Sequence, residues 1–253
     1  MTDTDTIALQ LYTLRHQGAA DFVGMLEEVA AAGYGAVEFA GYGRLKSQDL
    51  RTSIDRLGLR AISSHVPYHR FDQDLPAVIA ELQALGCRYA VVPGIPPELR
   101  GIESVPTLTE NFNAWGARCR KAGLRFGYHN HGWELEPLAG ATMLDLLAAG
   151  TDPSLVDFQI DVYWALVAGV DPASLIARNS GRMPTLHAKE LASGETSTDT
   201  TVGDGVTPWP GVLAAAAEAG VEWLIIEQED DPDNAYRDIR RSLTNLRRLS
   251  SRC

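Results

Sequence analysis

The stretch RAISSHVPYHRFDQDLPAVIAELQALGCRYAVVPG (60–94) contains one complete structural unit of the chain. Its two ends, RAISSHV (60–66) and YAVVPG (89–94), are short apolar runs typical of β-strands. Between them, apolar side chains recur at helical spacing at Leu75, Val78, Ile79, Leu82 and Leu85. Gly86 follows at a position where glycine commonly ends a helix. The stretch therefore predicts a strand, a helix and a second strand.

The same alternation continues to both ends of the chain. Six further runs have the length and composition of strands, namely IALQL (7–11), AVEFA (36–40), RFGYHN (125–130), FQIDV (158–162), PTLHAK (184–189) and VEWLIIE (221–227). Helical patterns lie between them near residues 22–32, 47–57, 105–122 and 141–150, after Pro172, after Pro210, and from Ala235 to Leu249. The chain therefore predicts eight strand-helix units.

Eight such units in 253 residues average about 32 residues each, which is typical of an α/β chain that forms a closed (β/α)8 barrel in one domain, 1–253. The alternative is a doubly wound open sheet. That fold is usually marked by a glycine-rich phosphate loop after the first strand, and LYTLRHQG (11–18) has only Gly18 there. The absence of GxGxxG and GxxxxGK[ST] motifs also favours the barrel.

Composition places the chain among globular proteins that fold in water, with 45% hydrophobic and 22% charged residues. The 33 acidic and 22 basic residues give a net charge of −11. An acidic chain without a block of lysines and arginines repels a phosphate backbone at long range, so we expect no nucleic acid partner.

Cysteine usage and the N-terminus indicate the compartment. Cys87, Cys119 and Cys253 form no CxxC motif, so neither a disulfide framework nor a thiolate zinc site is indicated. The first residues, MTDTDT (1–6), are polar and acidic. No apolar run approaches the roughly 18 residues of a membrane span. The prediction is a cytoplasmic protein without a membrane partner.

Histidines cluster where a barrel of this kind carries its active site, at the C-terminal ends of the strands. His65, His129 and His187 fall at the predicted ends of strands three, five and seven, and His131 follows in the next loop. Random placement would scatter them along the chain. The pattern therefore predicts a polar site at the mouth of the barrel.

Carboxylates interrupt apolar strands at Glu38, Asp161 and Glu227. A buried carboxylate is costly unless it is paired or bound to a cation. Four residues on consecutive strands are candidate ligands of one divalent ion: His129, Asp161, His187 and Glu227. Two imidazoles and two carboxylates suit Mn²⁺, Zn²⁺, Co²⁺ or Fe²⁺, whereas Mg²⁺ prefers oxygen ligands. Taken singly, each is equally explained as a hydrogen-bonded core histidine or an ion-paired carboxylate.

At these residues the chain resembles the sugar phosphate isomerase/epimerase superfamily, the xylose isomerase-like TIM barrels. The most specific matching runs are GYHNHGWEL (127–135), DFQIDVYWALVAGVDP (157–172), RMPTLHAKE (182–190) and VGDG (202–205). Metal ligands of that family end strands five to eight, usually as Glu, Asp, His and Glu. The resemblance implies the same role for Asp161, His187 and Glu227. Strand five departs from the family pattern, because it carries His129.

The resemblance implies metal-assisted proton transfer next to a carbonyl of a small polyhydroxylated carbohydrate, through an enediolate. Isomerisation or epimerisation of a sugar or sugar phosphate is the first reaction that it implies. Ketose 3-epimerases of the family use two metal-bound glutamates, so His129 favours the alternative, a lyase that dehydrates a keto-inositol or a 3-keto-sugar. The resemblance also implies a homo-oligomer, either a dimer or a tetramer.

Three residues are candidate catalytic groups. Glu227 is a candidate base, and His131 is a candidate acid/base group near neutral pH. Lys189 points to the same side as His187, because side chains alternate along a strand. Lys189 would stabilise an enolate oxygen, or else form a salt bridge with Asp161 or Glu227.

Five further residues are candidate substrate contacts: Glu38, His65, Trp133, Glu134 and Trp164. The two tryptophans would present apolar faces to sugar C–H groups, unless they pack in the core. Glu134 would orient His131 or bind a hydroxyl, unless it caps a helix or a loop. Glu38 and His65 would bind hydroxyls on the far side of the substrate.

Two other classes of protein remain as alternatives. A nuclease of the endonuclease IV type resembles this barrel, but it would need three metals and a basic DNA-binding face, which the charge of −11 argues against. A non-catalytic sugar-binding barrel would keep the aromatic residues and lose the metal.

Overall fold

The computed structural model describes residues 6–194 and 197–251. Its main strands are β1 (Ile7–Gln10), β2 (Ala36–Phe39), β3 (Arg60–His65), β4 (Tyr89–Val92), β5 (Arg125–His129), β6 (Val156–Asp161), β7 (Thr185–Ala188) and β8 (Trp223–Ile226). These eight strands are parallel and close into a barrel, with β8 paired to β1, which confirms the (β/α)8 architecture. The single domain over residues 1–253 stays a prediction.

Helices surround the barrel in the predicted intervals. They are α1 (Arg15–Ala20), α2 (Phe22–Ala31), α3 (Ser47–Arg56), α4 (Tyr68–Leu85), α5 (Val105–Lys121), α6 (Met143–Gly150), α7 (Val162–Val167), α8 (Pro172–Arg178), α9 (Trp209–Ala219) and α10 (Ala235–Ser250). Within the described ranges, none of them combines the length and apolarity needed to cross a bilayer.

Helix α4 is kinked near its start. The backbone leaves helical geometry at Asp74, whose carboxylate accepts a hydrogen bond from the Ala77 N–H at 3.1 Å. Asp74 thereby caps the second part of the helix. Pro76 lies in the first turn of that part, where its missing N–H costs no hydrogen bond. The apolar spacing of the sequence therefore continues across a break in the helix.

Side-chain alternation gives the barrel two different environments. Outward-facing residues of the strands, such as Leu9, Val37 and Phe158, belong to the main core between barrel and helices. A separate small apolar layer inside the barrel consists of Ala8, Ala36, Ile62 and Ile225. Beyond this layer, toward the C-terminal ends of the strands, the inward residues are polar and buried: Gln10, Glu38, Ser63, Gln159 and His187.

An ion-pair network lies at the opposite, N-terminal end of the barrel. Arg125 donates hydrogen bonds to both oxygens of Asp157, each at 2.7 Å, and to Glu222 at 3.1 Å. Arg88 and the Tyr89 hydroxyl also donate to Glu222, at 2.6 and 3.0 Å. Because active sites of such barrels lie at the other end, we assign this network to stability.

The described cysteines are buried free thiols. Burial raises the pKa of Cys87 and of Cys119 to about 12. Both are therefore protonated and unreactive near neutral pH. Cys253 lies outside the described residues.

The loop after β2, residues 40–46, has an unusual backbone. Gly41, Gly43 and Arg44 all have positive φ, at 91°, 57° and 65°. At position 43 a Cβ atom would lie 2.4 Å from the ring of Phe22, so only glycine fits there. Close packing on Phe22 therefore fixes the path of this loop.

The loop after β7 is held by one buried carboxylate. Glu190–Leu191 pairs antiparallel with Asp199–Thr200 directly after the strand. Glu190 accepts hydrogen bonds from the Gly203 N–H at 2.7 Å, the Thr207 N–H at 2.8 Å and the Trp209 indole at 2.6 Å. This carboxylate therefore fixes the VGDG segment against the barrel.

Candidate metal and substrate site

His187, on β7, lies at the centre of the candidate site. Its Nε2 is 2.7 Å from the carboxylate of Glu38, and its Nδ1 is 3.0 Å from that of Glu227. Asp161, the last residue of β6, has a carboxylate oxygen 3.8 Å from the same Nδ1. Ligand atoms of Asp161, His187 and Glu227 all lie within 4.8 Å of one another. The structure thus brings three of the four predicted ligands together.

One carboxylate oxygen of Asp161 is available to bind a cation. It is fully buried, and its Oδ1 accepts a hydrogen bond from the Trp164 N–H at 3.2 Å. Its Oδ2 is buried without a hydrogen-bond partner among the described residues. Burial raises the pKa of Asp161 to about 7. An orphaned carboxylate oxygen beside an imidazole and a second carboxylate has donor chemistry that fits one divalent transition-metal ion.

The charges of this group depend on one another. Burial alone would lower the pKa of His187, but the carboxylates of Glu38 and Glu227 raise it to about 10. Burial alone would raise the pKa of Glu227, but Lys189 and His187 hold it well below its usual range. A proton on His187 thus balances the buried carboxylates. A divalent ion bound there would take over that role, with release of the proton.

His129 belongs to a second group, which shares only His187 with the first. Ligand atoms of His65, His129 and His187 lie within 4.8 Å of one another. The register of the barrel pairs His129 with Gln159, and it pairs His187 with Asp161. His129 therefore lies one inward layer below Asp161, and its Nδ1 is 3.1 Å from the Gln159 side-chain oxygen. The four predicted ligands therefore do not form one set: Asp161, His187 and Glu227 form one group of three, and His129 belongs to a second group with His187 and His65.

Glu38 lies inside the barrel rather than on the wall of a cavity. It is fully buried and accepts hydrogen bonds from Gln10 at 2.8 Å, from Gln159 at 2.9 Å and from Ser63. Together with the contact to His187, these bonds engage both carboxylate oxygens. Glu38 therefore supports His187 from below, a different place from the substrate contact that the sequence predicted.

A cavity of about 650 Å³ opens at the C-terminal end of the barrel, within the range of small-molecule sites. Its wall includes five predicted site residues: His65, His129, His131, Trp164 and Glu227. Burial lowers the pKa of His131 to about 4, so its imidazole is neutral near pH 7. Its ring centroid lies 5.4 Å from that of Trp164. The part of the chain between β1 and β5 supplies Tyr12, Tyr42, Arg44, Arg70 and Glu81 to the wall.

Lys189 is buried beside the site and already has partners. Its Nζ lies 2.5 Å from Glu229 and 3.3 Å from Asp199. Within the described residues, no salt bridge joins it to the expected partners Asp161 and Glu227. Burial alone would lower the pKa of Lys189, but the charges of the nearby carboxylates raise it above its usual value, with Glu227 and Asp161 contributing more than Glu229 and Asp199. Lys189 is therefore a permanent cation behind the cavity wall.

Trp133 and Glu134 lie outside the cavity wall. The Arg100 guanidinium stacks over Trp133, 4.5 Å from the ring centroid. The buried carboxylate of Glu134 accepts hydrogen bonds from the Tyr128 hydroxyl at 2.5 Å and from the His131 N–H at 2.8 Å. Glu134 thus caps the loop that carries His131, which is the alternative to its two predicted functional roles, and those roles stay predictions.

Three polar residues of this region were not predicted from the sequence. Gln159 lies two residues before Asp161 on β6, and its oxygen is 2.7 Å from His65 Nε2. The alternation that predicted the direction of Lys189 also predicts an inward Gln159. Glu229 and Arg44 line the cavity from loops, where alternation gives no direction.

Comparisons with known proteins show the family to which the chain belongs. Residues 26–249 match the family model of the xylose isomerase-like TIM barrel. The inosose dehydratase of Geobacillus kaustophilus is 28% identical over 255 aligned positions, which cover 84% of this chain and 81% of that protein. A crystal structure of a sugar phosphate isomerase/epimerase from Parabacteroides distasonis superposes with a TM-score of 0.84 and 26% identity, over 97% of this chain and 94% of that one. The chain therefore belongs to the xylose isomerase-like TIM barrel family.

Proposed function

We propose that this protein is a metal-dependent lyase that eliminates water from a cyclic polyhydroxylated ketone, a keto-inositol or a 3-keto-sugar. The observation that carries this proposal is the uneven distribution of carboxylates and imidazoles among the candidate metal ligands. Asp161 and Glu227 both lie near Nδ1 of His187, whereas the end of β5 carries the imidazole of His129. The site therefore lacks, among the described residues, a second carboxylate on β5 to face Glu227.

Inversion of a carbon centre requires that a proton leaves one face and returns to the other, and so it needs two opposed acid/base groups. Three carboxylates line the cavity: Glu81, Glu227 and Glu229. Glu81 is paired with Arg70 at 2.8 Å, and Glu229 is paired with Lys189. Glu227 also has a partner, His187 at 3.0 Å, but it is the one carboxylate of the three that lies among the candidate metal ligands. Glu227 is thus the carboxylate best suited to act as a base, and a single base favours elimination over epimerisation.

Elimination can proceed with Glu227 alone as the proton carrier. Its carboxylate takes the proton from the carbon next to the carbonyl, and the C–O bond of the neighbouring hydroxyl breaks. The proton on Glu227 then passes to the departing hydroxyl, which leaves as water, and the remaining enol becomes a ketone. His131 and Trp164 would bind the hydroxyls and the apolar face of the ring.

The residues that would hold the ion are Asp161, His187 and Glu227, with His129 and His65 close to the same imidazole. A bound Mn²⁺, Zn²⁺, Co²⁺ or Fe²⁺ would supply electrophilic stabilisation of the negative charge that develops on the carbonyl oxygen. Among the chain's own residues, buried Lys189 adds positive potential, and Glu38 keeps the His187 ring in place.

The relatives support two candidates. Similarity to an inosose dehydratase over most of both chains supports the lyase. The 26% identical sugar phosphate isomerase/epimerase structure supports a second candidate, isomerisation or epimerisation of a sugar or sugar phosphate. Both reactions begin with removal of a proton next to a carbonyl, so the fate of that proton separates them.

The test is a substrate panel in D₂O with the metal-loaded protein. Keto-inositols, 3-keto-sugars, ketoses and ketose phosphates are followed by NMR and mass spectrometry. We expect loss of one water from a cyclic ketone. Isomerised or epimerised sugar without loss of water would overturn the lyase in favour of the second candidate, and absence of both water loss and deuterium exchange with every metal and substrate would contradict both.

A matched pair of variants assigns the base. Glu227→Gln is expected to lower the rate of water loss by at least about 100-fold, the usual effect of losing a positioned base. Glu218→Gln removes the same charge from the exposed face of α9 and should leave the rate unchanged. Equal rates in the two variants would remove Glu227 from the mechanism.

A further inference from the structure

The wall of the cavity carries one unbalanced charge. Its charged side chains, apart from histidines, are Arg44, Arg70, Glu81, Glu227 and Glu229. Four of them have partners of opposite sign: Arg70 with Glu81 at 2.8 Å, Glu229 with Lys189 at 2.5 Å and Glu227 with His187 at 3.0 Å. Among the described residues, Arg44 has neither an ion pair nor a hydrogen bond from its side chain. Its guanidinium is therefore available to a ligand.

Arg44 lies opposite the candidate metal ligands. It follows β2, and β2 is four strands away from β6 in either direction around the closed barrel. Asp161 at the end of β6 and Arg44 therefore lie on facing sides of the barrel mouth. A substrate whose carbonyl end binds at Asp161 and Glu227 would extend toward Arg44 across the cavity that both Glu227 and Arg44 line.

The backbone at Arg44 is strained. Its φ of 65° is in the left-handed region, which is unfavourable for a residue with a Cβ atom. Such strain persists only where the surrounding structure imposes it, and it occurs preferentially at ligand sites. Here the close contact of Gly43 with Phe22 fixes the preceding turn. The loop therefore holds an unpaired cation on the cavity wall at a conformational cost.

We infer that Arg44 recognises an anionic substituent of the substrate, a carboxylate or a phosphate, at the end remote from the reacting carbonyl. This inference rests on the proposed function, because it names the class of substrate that the same cavity takes. A guanidinium group donates paired hydrogen bonds to carboxylate and phosphate oxygens. Arg70 also lines the cavity, but Glu81 already neutralises it.

The test compares sugars that differ only in charge. Binding of D-glucose, D-glucuronate and D-glucose 6-phosphate to the metal-loaded protein is measured by titration calorimetry. We expect at least one anionic sugar to bind about tenfold more tightly than D-glucose, as for one charged hydrogen bond. Preference for D-glucuronate alone would identify a carboxylate as the recognised group, and preference for D-glucose 6-phosphate alone would identify a phosphate.

Three variants assign the preference to this side chain. Arg44→Gln should abolish it, and Arg44→Lys should retain part of it because the charge remains. Lys46→Gln removes a charge from the same loop at a residue that does not line the cavity, and it should keep the full preference. No preference in the wild type, or a preference that survives Arg44→Gln, would overturn the inference.

The outcome is separable from that of the proposed function. Preference for an anionic sugar that depends on Arg44, without loss of water from any cyclic ketone, would support this inference and contradict the lyase. Loss of water from neutral substrates without any preference for an anion would support the lyase and contradict this inference.

Discussion

Asp161 is the residue whose replacement tests the metal site most directly. The amide of Asp161→Asn still accepts the hydrogen bond from the Trp164 N–H that caps α7, but the negative charge beside His187 is lost. A ligand at 100 times its Kd stabilises a native protein by about 2.7 kcal/mol. We therefore expect Mn²⁺ or Zn²⁺ to raise the Tm of the wild type in scanning calorimetry and to leave that of Asp161→Asn nearly unchanged.

Asp171→Asn is the matched control for this experiment. Asp171 is an exposed carboxylate that caps α8, away from the site, and asparagine caps equally well. Its response to the metal should equal that of the wild type. The same response in Asp161→Asn would show that the ion binds elsewhere.

Glu134 predicts a pH dependence of stability. Burial raises its pKa to about 7, so the folded state binds this proton more tightly than the unfolded state does. The stabilisation that the proton on Glu134 contributes is fully present below about pH 4.3, the pKa of glutamate in an unfolded chain. It is lost as the pH rises through about 7, the pKa of Glu134 in the folded protein. Glu134→Gln does not ionise. Between about pH 5 and pH 8, the free energy of unfolding of the wild type should fall by on the order of 2 kcal/mol relative to this variant.

Urea unfolding at the two pH values measures this difference. Glu136→Gln is the control, because Glu136 is exposed only two residues away. It should follow the wild type at both pH values. A constant difference between wild type and Glu134→Gln would show that Glu134 ionises normally in the folded protein.

Among single residues, those at strand ends were the most predictable. Asp161, His187 and Glu227 interrupt apolar strands, and alternation puts them on the inner side. The depth of His129 in the barrel relative to Asp161 was not predictable. It depends on the register between β5 and β6, which neighbouring residues in the sequence do not reveal. The partners of Lys189 come from two loops that are distant in sequence.

At the scale of elements, the loop after β7 depends on a glycine. A Cβ atom at Gly205 would lie 2.0 Å from the backbone oxygen of Leu191 and 2.7 Å from the side chain of Glu190. Gly205→Ala must therefore displace the backbone or break the bonds that Glu190 makes. We expect a loss of about 1–3 kcal/mol in the free energy of unfolding, and faster amide hydrogen exchange over residues 203–209.

Gly211→Ala is the control, because a Cβ atom there meets nothing within 4 Å. Residue 211 lies in the first turn of α9, where alanine is the better helix former. Its stability should stay equal or rise by up to about 1 kcal/mol. Equal exchange over residues 203–209 in the two variants would contradict the close approach at Gly205.

The elements themselves were largely predictable from periodicity. The run RFGYHN (125–130) corresponds to β5, Arg125–His129, and ATMLDLLAAG (141–150) corresponds to α6, Met143–Gly150. The short antiparallel pairs, such as Pro137–Leu138 with Ala141–Thr142, were missed. Two-residue strands are too short to show alternation, so loop conformation rather than pattern creates them.

At the scale of the whole molecule, the two ends of the barrel should be separable by mutation. Arg125→Met leaves Asp157 without its bidentate partner at the N-terminal end. Because the pair is only partly buried, we expect a loss of about 1–3 kcal/mol in the free energy of unfolding by urea. The Kd for Mn²⁺ or Zn²⁺, measured by calorimetry, should not change, because the candidate ligands lie at the opposite end.

Arg118→Met, on the exposed face of α5, controls for loss of a positive charge and should affect neither quantity. A weaker metal affinity in Arg125→Met would show that the two ends are coupled.

The cytoplasmic location and the homo-oligomer, a dimer or a tetramer, stay predictions. Sedimentation measures the oligomeric state.

The cavity wall is divided between the two halves of the chain. The first half supplies Tyr12, Tyr42, Arg44 and Arg70, whereas His131, Trp164 and Glu227 come from the second. Substitutions before β5 can therefore change which ligands fit the cavity, while the candidate metal ligands Asp161, His187 and Glu227 stay unchanged. Glu38 and His65 are exceptions, because both lie in the first half, where Glu38 holds His187 and His65 belongs to a candidate ligand group. A mutational library aimed at new specificity should vary the loops before residue 94 and leave these two residues intact.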